Sequence, residues 1–353
     1  MREAYCHATL VTQEGVGRDI CFEVNQGVFV NIAIGGTEGT DLGGAYVLPG
    51  FIDSHIHGLG PFDFEDPACD YAAAAGALRR FGVTAFLPTV CPKKSSFYPH
   101  LKQESILGFH LEGPFINPDR MGGFSREQIL PYSRALTEDI LDAFHGQARI
   151  MTSAPEMVDL PELAELAEKF HVRLSAGHTQ ADLNTARSAF AGGFQAVTHF
   201  FNAMPGHNHR SPGIWDEALL NDQVMLEVIA DLRHVSAESL ALLIKCKGVR
   251  KLAAVTDSVC AYGPGFETRD GLAYKNGVIY GSQSTMLDLF VNLVNRLRVP
   301  LPQAVSMTSF NIAKALGLPL GDIRTGYRAD FLVMDEELRI KAVHTGMKME
   351  YCV

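Results

Sequence analysis

Short apolar runs at both ends of the chain are separated by glycine-rich turns, a pattern typical of β-strands. Residues 8–11 and 27–32 form two such runs near the N-terminus, and residues 329–334 and 340–343 form two more near the C-terminus. Apolar runs of this length between turn residues favour strands over helices. We therefore expect the two ends of the chain, residues 1–48 and 322–353, to pair into one small β-sandwich domain.

Between these ends, strand-length apolar runs alternate with stretches that carry apolar residues at every third or fourth position. The second spacing predicts amphipathic helices, for example over residues 160–170, 182–191 and 236–245. Strands that alternate with helices indicate repeated βα units around a parallel sheet. The predicted strands end at Asp53, Thr89, Glu112, Ser153, His178, His199, Asp231 and Asp257.

Eight βα units over about 250 residues are what a TIM-type (β/α)8 barrel requires. We therefore assign residues 49–321 to such a barrel, with a doubly wound open sheet as the alternative. The barrel explains more, because its strand ends converge on one mouth, where the polar residues that end the predicted strands would meet. The predicted fold is an α/β protein with a (β/α)8 barrel and a small β-sandwich formed by both chain termini.

The composition excludes several classes of protein. Of 353 residues, 47% are hydrophobic and 20% are charged, which is typical of a globular protein. The net charge of −10 gives no support for nucleic-acid binding, which normally requires a basic face. The seven scattered cysteines lack a C-x-x-C pair, which argues against a disulfide framework and a thiolate zinc site. Since no signal segment or membrane-length apolar stretch is found, we expect a cytoplasmic protein with no membrane partner.

The candidate chemistry lies in histidines and carboxylates at the ends of the predicted strands. His55 and His57 follow an apolar strand at positions i and i+2, so both imidazoles can face one site. Glu112, His178 and His199 end three further strands. Imidazole nitrogens and a carboxylate suit a divalent metal, and five such residues at the same end of a barrel predict a metal site.

One further carboxylate and one loop complete the candidate site. Asp257 ends the last predicted strand, where an acid beside a metal-activated water could accept a proton and return it. The turn-rich segment 204–213 follows a proposed ligand strand, and loops at that end of a barrel usually bind substrate. Arg210 in this loop and His234 offer positive charge for a phosphate or a carboxylate. Neither a Walker motif nor a G-x-G-x-x-G is present, so no nucleotide site is predicted.

Eight short segments follow one another along the chain: PGFIDSHIHG, HLEGPF, SAPE, AGHT, THFFNAMP, HRSPG, VTDS and GDIRTGYRADFLVMD. In sequence and in order they resemble the amidohydrolase superfamily, and specifically its N-acetylglucosamine-6-phosphate deacetylase family. The resemblance implies hydrolysis of the N-acetyl amide of an amino-sugar 6-phosphate, giving acetate and the free amine. It also implies a metal-bearing barrel, a β-sandwich from both termini and a homodimer.

The resemblance implies a role for each matching residue. The main metal ligands are matched by Glu112, His178 and His199, and the pair that holds a second metal in some members is matched by His55 and His57. One or two divalent ions per subunit are implied, zinc first, with iron, manganese or cobalt as alternatives. Asp257 matches the general acid/base. Substrate-binding positions are matched by Gly113, Asn202, Ala203, Arg210 and His234, the last two reaching across a dimer interface in some members.

Two positions depart from the family pattern. After HLEGPF the family commonly has a histidine that contacts substrate near the scissile carbonyl, whereas this chain has Phe124. A phenyl ring cannot donate that hydrogen bond, and loss of such a donor costs ~10²–10³ in rate. Either a second metal supplies the polarisation or the preferred substrate differs. Leu232 stands where the family usually has glycine before the phosphate-binding histidine.

Three alternatives stay open beside this function. The first is deacetylation of a related substrate such as N-acetylgalactosamine 6-phosphate. The second is a cyclic-amide hydrolase of the dihydroorotase or hydantoinase type, whose metals are typically bridged by a carbamylated lysine at the end of the fourth strand; residues 150–155 contain no lysine. The third is a non-catalytic sugar-phosphate-binding protein, which would be marked by lost metal ligands or a lost Asp257.

Overall fold

The structure is a computed structural model that describes residues 2–93, 98–262, 265–346 and 348–351. The chain folds into two compact units. Unit 1 comprises Met1–Asp53, Ala72–Ala85 and Thr285–Val353, and unit 2 comprises Ser54–Tyr71 and Phe86–Ser284. The domain boundaries expected from the sequence, 1–48 with 322–353 and 49–321, stay a prediction. Within the described ranges, no helix combines the length and hydropathy needed to cross a membrane.

The strands of the described residues are numbered in chain order. They are β1 (Arg2–Thr12), β2 (Gly15–Asn25), β3 (Val28–Ile34), β4 (Thr40–Asp41), β5 (Tyr46–Pro49), β6 (Phe51–Ile56), β7 (Gly58–Leu59), β8 (Phe62–Asp63), β9 (Val83–Val90), β10 (Phe109–Glu112), β11 (Ala148–Ser153), β12 (Arg173–Ala176), β13 (Phe194–Val197), β14 (Met225–Val228), β15 (Leu252–Ala254), β16 (Phe266–Arg269), β17 (Leu272–Lys275), β18 (Val278–Ser282), β19 (Phe331–Met334), β20 (Ile340–Thr345) and β21 (Lys348–Tyr351).

The α-helices of the described residues are also numbered in chain order. They are α1 (Tyr71–Arg79), α2 (Arg134–Ala143), α3 (Leu160–Phe170), α4 (Leu183–Ala191), α5 (Ile214–Leu220), α6 (Ala237–Lys247), α7 (Met286–Val291), α8 (Leu301–Val305) and α9 (Asn311–Ala315). The helices expected over 160–170, 182–191 and 236–245 correspond to α3, α4 and α6. Asp182 and Ser236 lie just outside α4 and α6 as N-caps, because their side chains accept hydrogen bonds from the first-turn N–H groups of Thr185 and Ser239.

The first and last strands of the chain form one sheet. Its order is β21-β20-β19-β5-β1-β2-β3, with β4 paired to β1. Phe29 of β3 and Phe331 of β19 lie on strands four places apart in this order, yet their ring centroids are only 5.9 Å apart. The sheet therefore curls over its own core, to which Tyr5 and Phe22 also belong. The expectation that both chain termini pair into one β-domain is confirmed.

The central strands form an eight-stranded parallel sheet in the order β15-β14-β13-β12-β11-β10-β9-β6. Two hydrogen bonds join its ends: the N–H of Asp257 donates to the carbonyl of His55 (2.9 Å), and the N–H of His57 donates to the carbonyl of Ser258 (2.8 Å). The sheet is therefore a nearly closed barrel rather than an open sheet. All eight residues of β9 are buried, as expected for a parallel strand covered on both faces. The predicted (β/α)8 barrel is confirmed.

Four predicted strands end earlier than the sequence indicated. β14 ends at Val228, before Asp231. β12, β13 and β15 stop before His178, His199 and Asp257. The φ angles of these three residues are 48°, 31° and 47°, in the left-handed region that an extended strand cannot include. Each side chain therefore sits on the turn that leaves the strand, at the carboxyl-end mouth of the barrel. Non-glycine residues held in this region are typical of functional sites, where surrounding contacts offset the strain.

A three-stranded antiparallel sheet of β16, β17 and β18 follows the last barrel strand. The sequence contains little sign of it, because the residues of β16 are mostly exposed and β18 begins with two exposed residues. Such strands lack the apolar alternation that marks a half-buried strand. This sheet carries Ile279, Tyr280 and Gly281 to the wall of the cavity described below.

Candidate active site

Six side chains converge at the mouth of the barrel, and all of them belong to unit 2. They come from β6, β10 and the turns after β6, β12, β13 and β15, so the barrel topology alone brings residues from distant parts of the chain together. Every member of this cluster is a residue that the sequence pattern predicts for the site. Its members are His55, His57, Glu112, His178, His199 and Asp257.

Glu112, His178 and His199 form a tight triangle of donor atoms. Oε1 of Glu112 lies 3.1 Å from Nε2 of His178 and 2.9 Å from Nε2 of His199, and the two nitrogens are 3.0 Å apart. Tetrahedral zinc with bonds of ~2.1 Å separates its ligand atoms by ~3.4 Å. Since Nδ1 of His178 donates to the carbonyl of Arg120 (2.7 Å), its Nε2 presents a lone pair to the triangle. The donors therefore fit one divalent ion.

A second group of donors adjoins the first and shares Glu112 with it. Oε2 of Glu112 lies 3.0 Å from Nε2 of His57. Oδ1 of Asp257 lies 3.5 Å from Nε2 of both His55 and His57. A carboxylate with one oxygen toward each donor group can bridge two cations. The residues therefore fit one or two divalent ions of the class that imidazole and carboxylate ligands prefer.

The charges in the cluster are strongly coupled. Burial alone raises the pKa of Glu112, but the neighbouring imidazoles of His55, His178 and His199 hold that pKa well below its usual range. Burial lowers the pKa of His55, yet the carboxylates of Glu112 and Asp257 raise it well above its usual range. Both shifts have the same cause, because buried carboxylates at this spacing require positive charge beside them. Protons or a divalent cation can supply that charge.

One buried carboxylate that was not predicted from the sequence is hydrogen-bonded to a member of the cluster. Glu227 on β14 is buried, and its Oε2 accepts a hydrogen bond from Nδ1 of His55 (3.2 Å). Its Oε1 accepts from Oγ of Ser54 (3.2 Å). With Nδ1 donating to Glu227, the His55 ring is held with Nε2 toward Glu112 and Asp257. The signal in the sequence was one carboxylate within the apolar run 224–230.

Replacing Glu227 with glutamine is expected to weaken metal binding by about 10- to 100-fold, since partners that orient a metal-binding histidine typically have effects of this size. The amide keeps the size of the side chain but removes the charge that fixes the His55 ring. Metal affinity is measured by competition with a chelator, and Glu168→Gln, at an exposed position of α3, serves as the control. An E227Q protein with wild-type affinity would show that Glu227 does not orient His55.

His110 is also buried beneath the cluster and has a structural role. Its Nδ1 donates to the carbonyl of Ser54 (2.8 Å), and its Nε2 accepts from the hydroxyl of Thr152 (2.7 Å). Burial lowers the pKa of His110 to about 4, so the ring is neutral near pH 7. It therefore fills the barrel interior as a satisfied polar side chain.

The cluster opens onto a cavity of about 230 Å³. Three of the residues expected to bind substrate, Asn202, Ala203 and His234, line it. Gly113 and Arg210 are not among its lining residues, and Arg210 is exposed on its loop. Eight lining residues were not singled out as site residues from the sequence. These are Glu65, Gly122, Gly123, Arg233, Val259, Ile279, Tyr280 and Gly281.

His234 belongs to a structured turn at one side of the cavity. Its Nδ1 donates to Oδ2 of Asp231 (2.7 Å), and Oδ1 of Asp231 accepts the backbone N–H groups of Arg233 and His234 (2.9 Å each). Burial lowers the pKa of His234, but the bond to Asp231 outweighs it and raises that pKa. Leu232 within this turn has a φ of 63°, which accounts for the preference for glycine at the position.

Phe124 forms part of the apolar wall of the cavity. Its ring centroid lies 5.1 Å from that of His178, with the ring planes at 74°. An edge-to-face contact of this kind packs well but supplies no hydrogen bond to a ligand. The structure therefore places a phenyl ring directly beside the triangle of Glu112, His178 and His199, where the family pattern has a donor.

Known proteins resemble this chain over nearly all of its length. The amidohydrolase family model matches residues 46–352. An N-acetylglucosamine-6-phosphate deacetylase of Bos taurus is 31% identical over 352 residues, covering 90% of this chain and 86% of that protein. An N-acetylgalactosamine-6-phosphate deacetylase of Escherichia coli O157:H7 is 27% identical over 360 residues, covering 95% of each.

A solved structure gives the same picture. It is an aspartate-to-alanine mutant of the N-acetylglucosamine-6-phosphate deacetylase of Mycobacterium smegmatis in complex with N-acetylglucosamine 6-phosphate. That chain is 28% identical to this one, with a TM-score of 0.90 and coverage of 99% of both chains. The likeness in sequence and in fold thus extends over the terminal sheet as well as the barrel.

Proposed function

This chain belongs to the amidohydrolase family, and we propose that it hydrolyses the N-acetyl amide of N-acetylglucosamine 6-phosphate to glucosamine 6-phosphate and acetate. One observation carries the proposal: Glu112 lies between two pairs of histidines, with Asp257 beside them, at the opening of the cavity. This is the arrangement that metal-assisted amide hydrolysis requires. The deacetylases that the chain resembles give the substrate class.

The histidine and carboxylate side chains of the cluster determine which ions the site can bind. We propose that Glu112, His178 and His199 hold one divalent ion and that His55 and His57 hold a second when it is present, with zinc the first choice and iron, manganese or cobalt the alternatives. When bound, such an ion polarises the amide carbonyl and lowers the pKa of water toward ~7, so that hydroxide is available at neutral pH.

Asp257 moves the proton in the proposed reaction. Its side chain is 14% exposed at the cavity, and Oδ1 faces the nitrogens of His55 and His57 at 3.5 Å. It accepts a proton as water attacks the amide carbon, and it delivers that proton to the nitrogen as the C–N bond breaks. We assign binding of the substrate to His234 and Asn202, which line the same cavity, and Phe124 adds an apolar wall.

Two further parts of the proposal concern the assembly and location of the protein. Arg210 is exposed and does not line the cavity of its own chain, which supports the proposed homodimer in which it reaches the partner's substrate. The six described cysteines are free, which supports a reducing cytoplasm. Analytical ultracentrifugation at several protein concentrations tests the dimer.

The test of the function is acetate release from a panel of sugars, assayed on chelator-treated protein before and after metal is restored. The proposal expects metal-dependent release from N-acetylglucosamine 6-phosphate, with much weaker release from N-acetylglucosamine. Dihydroorotate and hydantoin in the same panel test the cyclic-amide alternative. Metal-loaded protein that binds the phosphorylated sugar but releases no acetate would support the non-catalytic alternative instead.

The galactosamine epimer is the second candidate substrate. The relative that acts on N-acetylgalactosamine 6-phosphate covers 95% of both chains, more of each than the bovine relative does. The cyclic-amide alternative is weaker, because β11 contains no lysine, whereas Glu112 would serve as the bridging group if two ions were bound. The ratio of kcat/KM for the two epimers decides between the leading candidates.

Replacing Phe124 with histidine is expected to raise kcat for the proposed substrate by about 10-fold or more, because it restores a donor near the scissile carbonyl. Phe124→Leu, which keeps an apolar side chain, is the matched control and should show no such gain. Both variants are assayed at equal metal content. An F124H enzyme no faster than F124L would mean that polarisation in this chain does not depend on a side chain at this position.

A further inference from the structure

The acidic residues that line the cavity repel an anionic substrate. Glu65, Glu112 and Asp257 all line it, and the chain as a whole has a net charge of −10. A phosphorylated sugar therefore needs a positively charged side chain at this cavity to bind its phosphate. Arg210, the arginine that the family pattern suggests, is exposed on a loop outside the lining.

Arg233 is the arginine that lines the cavity, immediately before His234 in the chain. It lies in the turn after β14 whose backbone is fixed by Asp231, since its N–H donates to Oδ1 of that side chain (2.9 Å). Its own Nη1 donates to the backbone carbonyl of Asp231 (3.4 Å). The same turn therefore holds an arginine and a histidine against one cavity.

The guanidinium of Arg233 packs closely against one glycine of a neighbouring turn. It lies against Gly271, in the turn between β16 and β17, and a Cβ at that position would come within 3.0 Å of Cζ and 3.1 Å of Nη1 of Arg233. Gly271 has a φ of 75°, so the turn itself also favours glycine. The turn between β16 and β17 thus allows the backbone of Gly271 to approach the guanidinium of Arg233 closely.

The donors of Arg233 are largely available to a ligand. Within the described part of the chain, its guanidinium makes no ion pair with a carboxylate, and its hydrogen bond goes to a backbone carbonyl. A guanidinium carries five N–H donors in a planar fork that matches the oxygens of a phosphate. An arginine without a carboxylate partner in a cavity lined by acids keeps its full charge for an anion.

We propose that Arg233 binds the phosphate of the substrate within its own chain and determines the preference for a phosphorylated over an unphosphorylated sugar. The proposal rests on the function proposed above. The fork of Arg233 takes two phosphate oxygens, and His234 donates to a third. A single subunit then supplies two of the side chains that bind the phosphate, and Arg210 of the partner subunit would add to them.

The test compares Arg233→Met, which removes the charge and keeps the length of the side chain, with Arg233→Lys and wild type. Charge-assisted hydrogen bonds of this kind correspond to roughly 10- to 100-fold in affinity. For R233M the ratio of kcat/KM for N-acetylglucosamine 6-phosphate to that for N-acetylglucosamine should fall by this factor. The change should appear in KM rather than kcat, and R233K should recover part of it. Arg250→Met, at an exposed position outside the cavity, is the control.

Calorimetry of product binding separates the two proposals. Glucosamine 6-phosphate and glucosamine are titrated into wild type and R233M, which needs no turnover. If wild type lacks deacetylase activity but R233M binds the phosphorylated amine more weakly, the function fails and the assignment of Arg233 survives. If R233M keeps both the wild-type ratio and the wild-type affinity, Arg233 is a solvated surface arginine and the inference is overturned.

Discussion

Replacing Asp257 with asparagine is expected to lower kcat by about 10²- to 10⁴-fold, the range for loss of a general acid/base. The amide keeps the shape of the side chain and its contacts with His55 and His57 but cannot take a proton from water at neutral pH. Without that step, no side chain accepts the proton as water attacks, and the departing nitrogen must leave without a proton. The effect should therefore fall on kcat rather than on KM.

Metal content must be measured on the same sample, because Asp257 lies 3.5 Å from two histidine nitrogens and can also contact a metal. We expect at least one ion per subunit to remain in the D257N protein, held by the triangle of Glu112, His178 and His199. Asp139→Asn, at an exposed position on α2, is the control for the chemical change itself. Wild-type turnover by metal-loaded D257N would remove Asp257 from the mechanism.

Replacing Glu112 with glutamine should have the broadest effect of any single substitution. Its carboxylate faces His178 and His199 with one oxygen and His57 with the other. An amide offers one neutral acceptor and one donor, so it cannot serve both groups. We expect the loss of at least one ion per subunit and a fall in activity of about 10³-fold or more, since both the nucleophile and the polarisation of the carbonyl depend on the metal.

Thermal unfolding provides a second measure of the Glu112 variant. A ligand that binds only the folded state raises the Tm, by an amount that grows with its concentration relative to Kd. Added zinc should therefore raise the Tm of wild type and of the control E168Q but have little effect on E112Q. An E112Q protein with full metal content and an undiminished zinc-dependent Tm would contradict the central place given to this carboxylate.

Much of the site could be predicted because of how a parallel barrel is built. Its strands are buried on both faces and appear in the sequence as apolar runs, so a histidine or glutamate at the end of each run stands out. The geometry of a barrel then brings these ends together without any knowledge of contacts. His178, His199 and Asp257 lie at the mouth as the pattern predicts, although their left-handed backbone moves them from strand to turn.

Glu227 could not be predicted in the same way. Its charge is tolerated inside the barrel because His55 and Ser54 lie against it, and His55 is 172 positions away in the chain. From the sequence, a single glutamate in an apolar strand conflicts with burial, and nothing local resolves the conflict. The pairing that explains it exists only after the barrel has closed.

Arg233 could not be predicted for a related reason. The position of its guanidinium depends on close packing against Gly271. That glycine belongs to a sheet with little apolar pattern, none of whose strands was predicted from the sequence. The motif around Arg210 points to that residue instead, because it matches a family pattern. The sequence thus indicates the need for a cation but not the side chain that the cavity of this chain contains.

The terminal sheet has a consequence for how the protein is made. β5 pairs with β19, and Arg328, just before β19, bridges to Val28 of β3, so these N-terminal strands depend on a segment that is synthesised much later. At about 5–20 residues per second, the first strands wait roughly 15 to 60 s for these partners. During that interval the N-terminal sheet has an open edge at β5. Chaperone binding or aggregation of nascent chains should therefore depend on β19 to β21. Truncations that remove these strands should lower the yield of intact protein, even though every proposed metal ligand is retained.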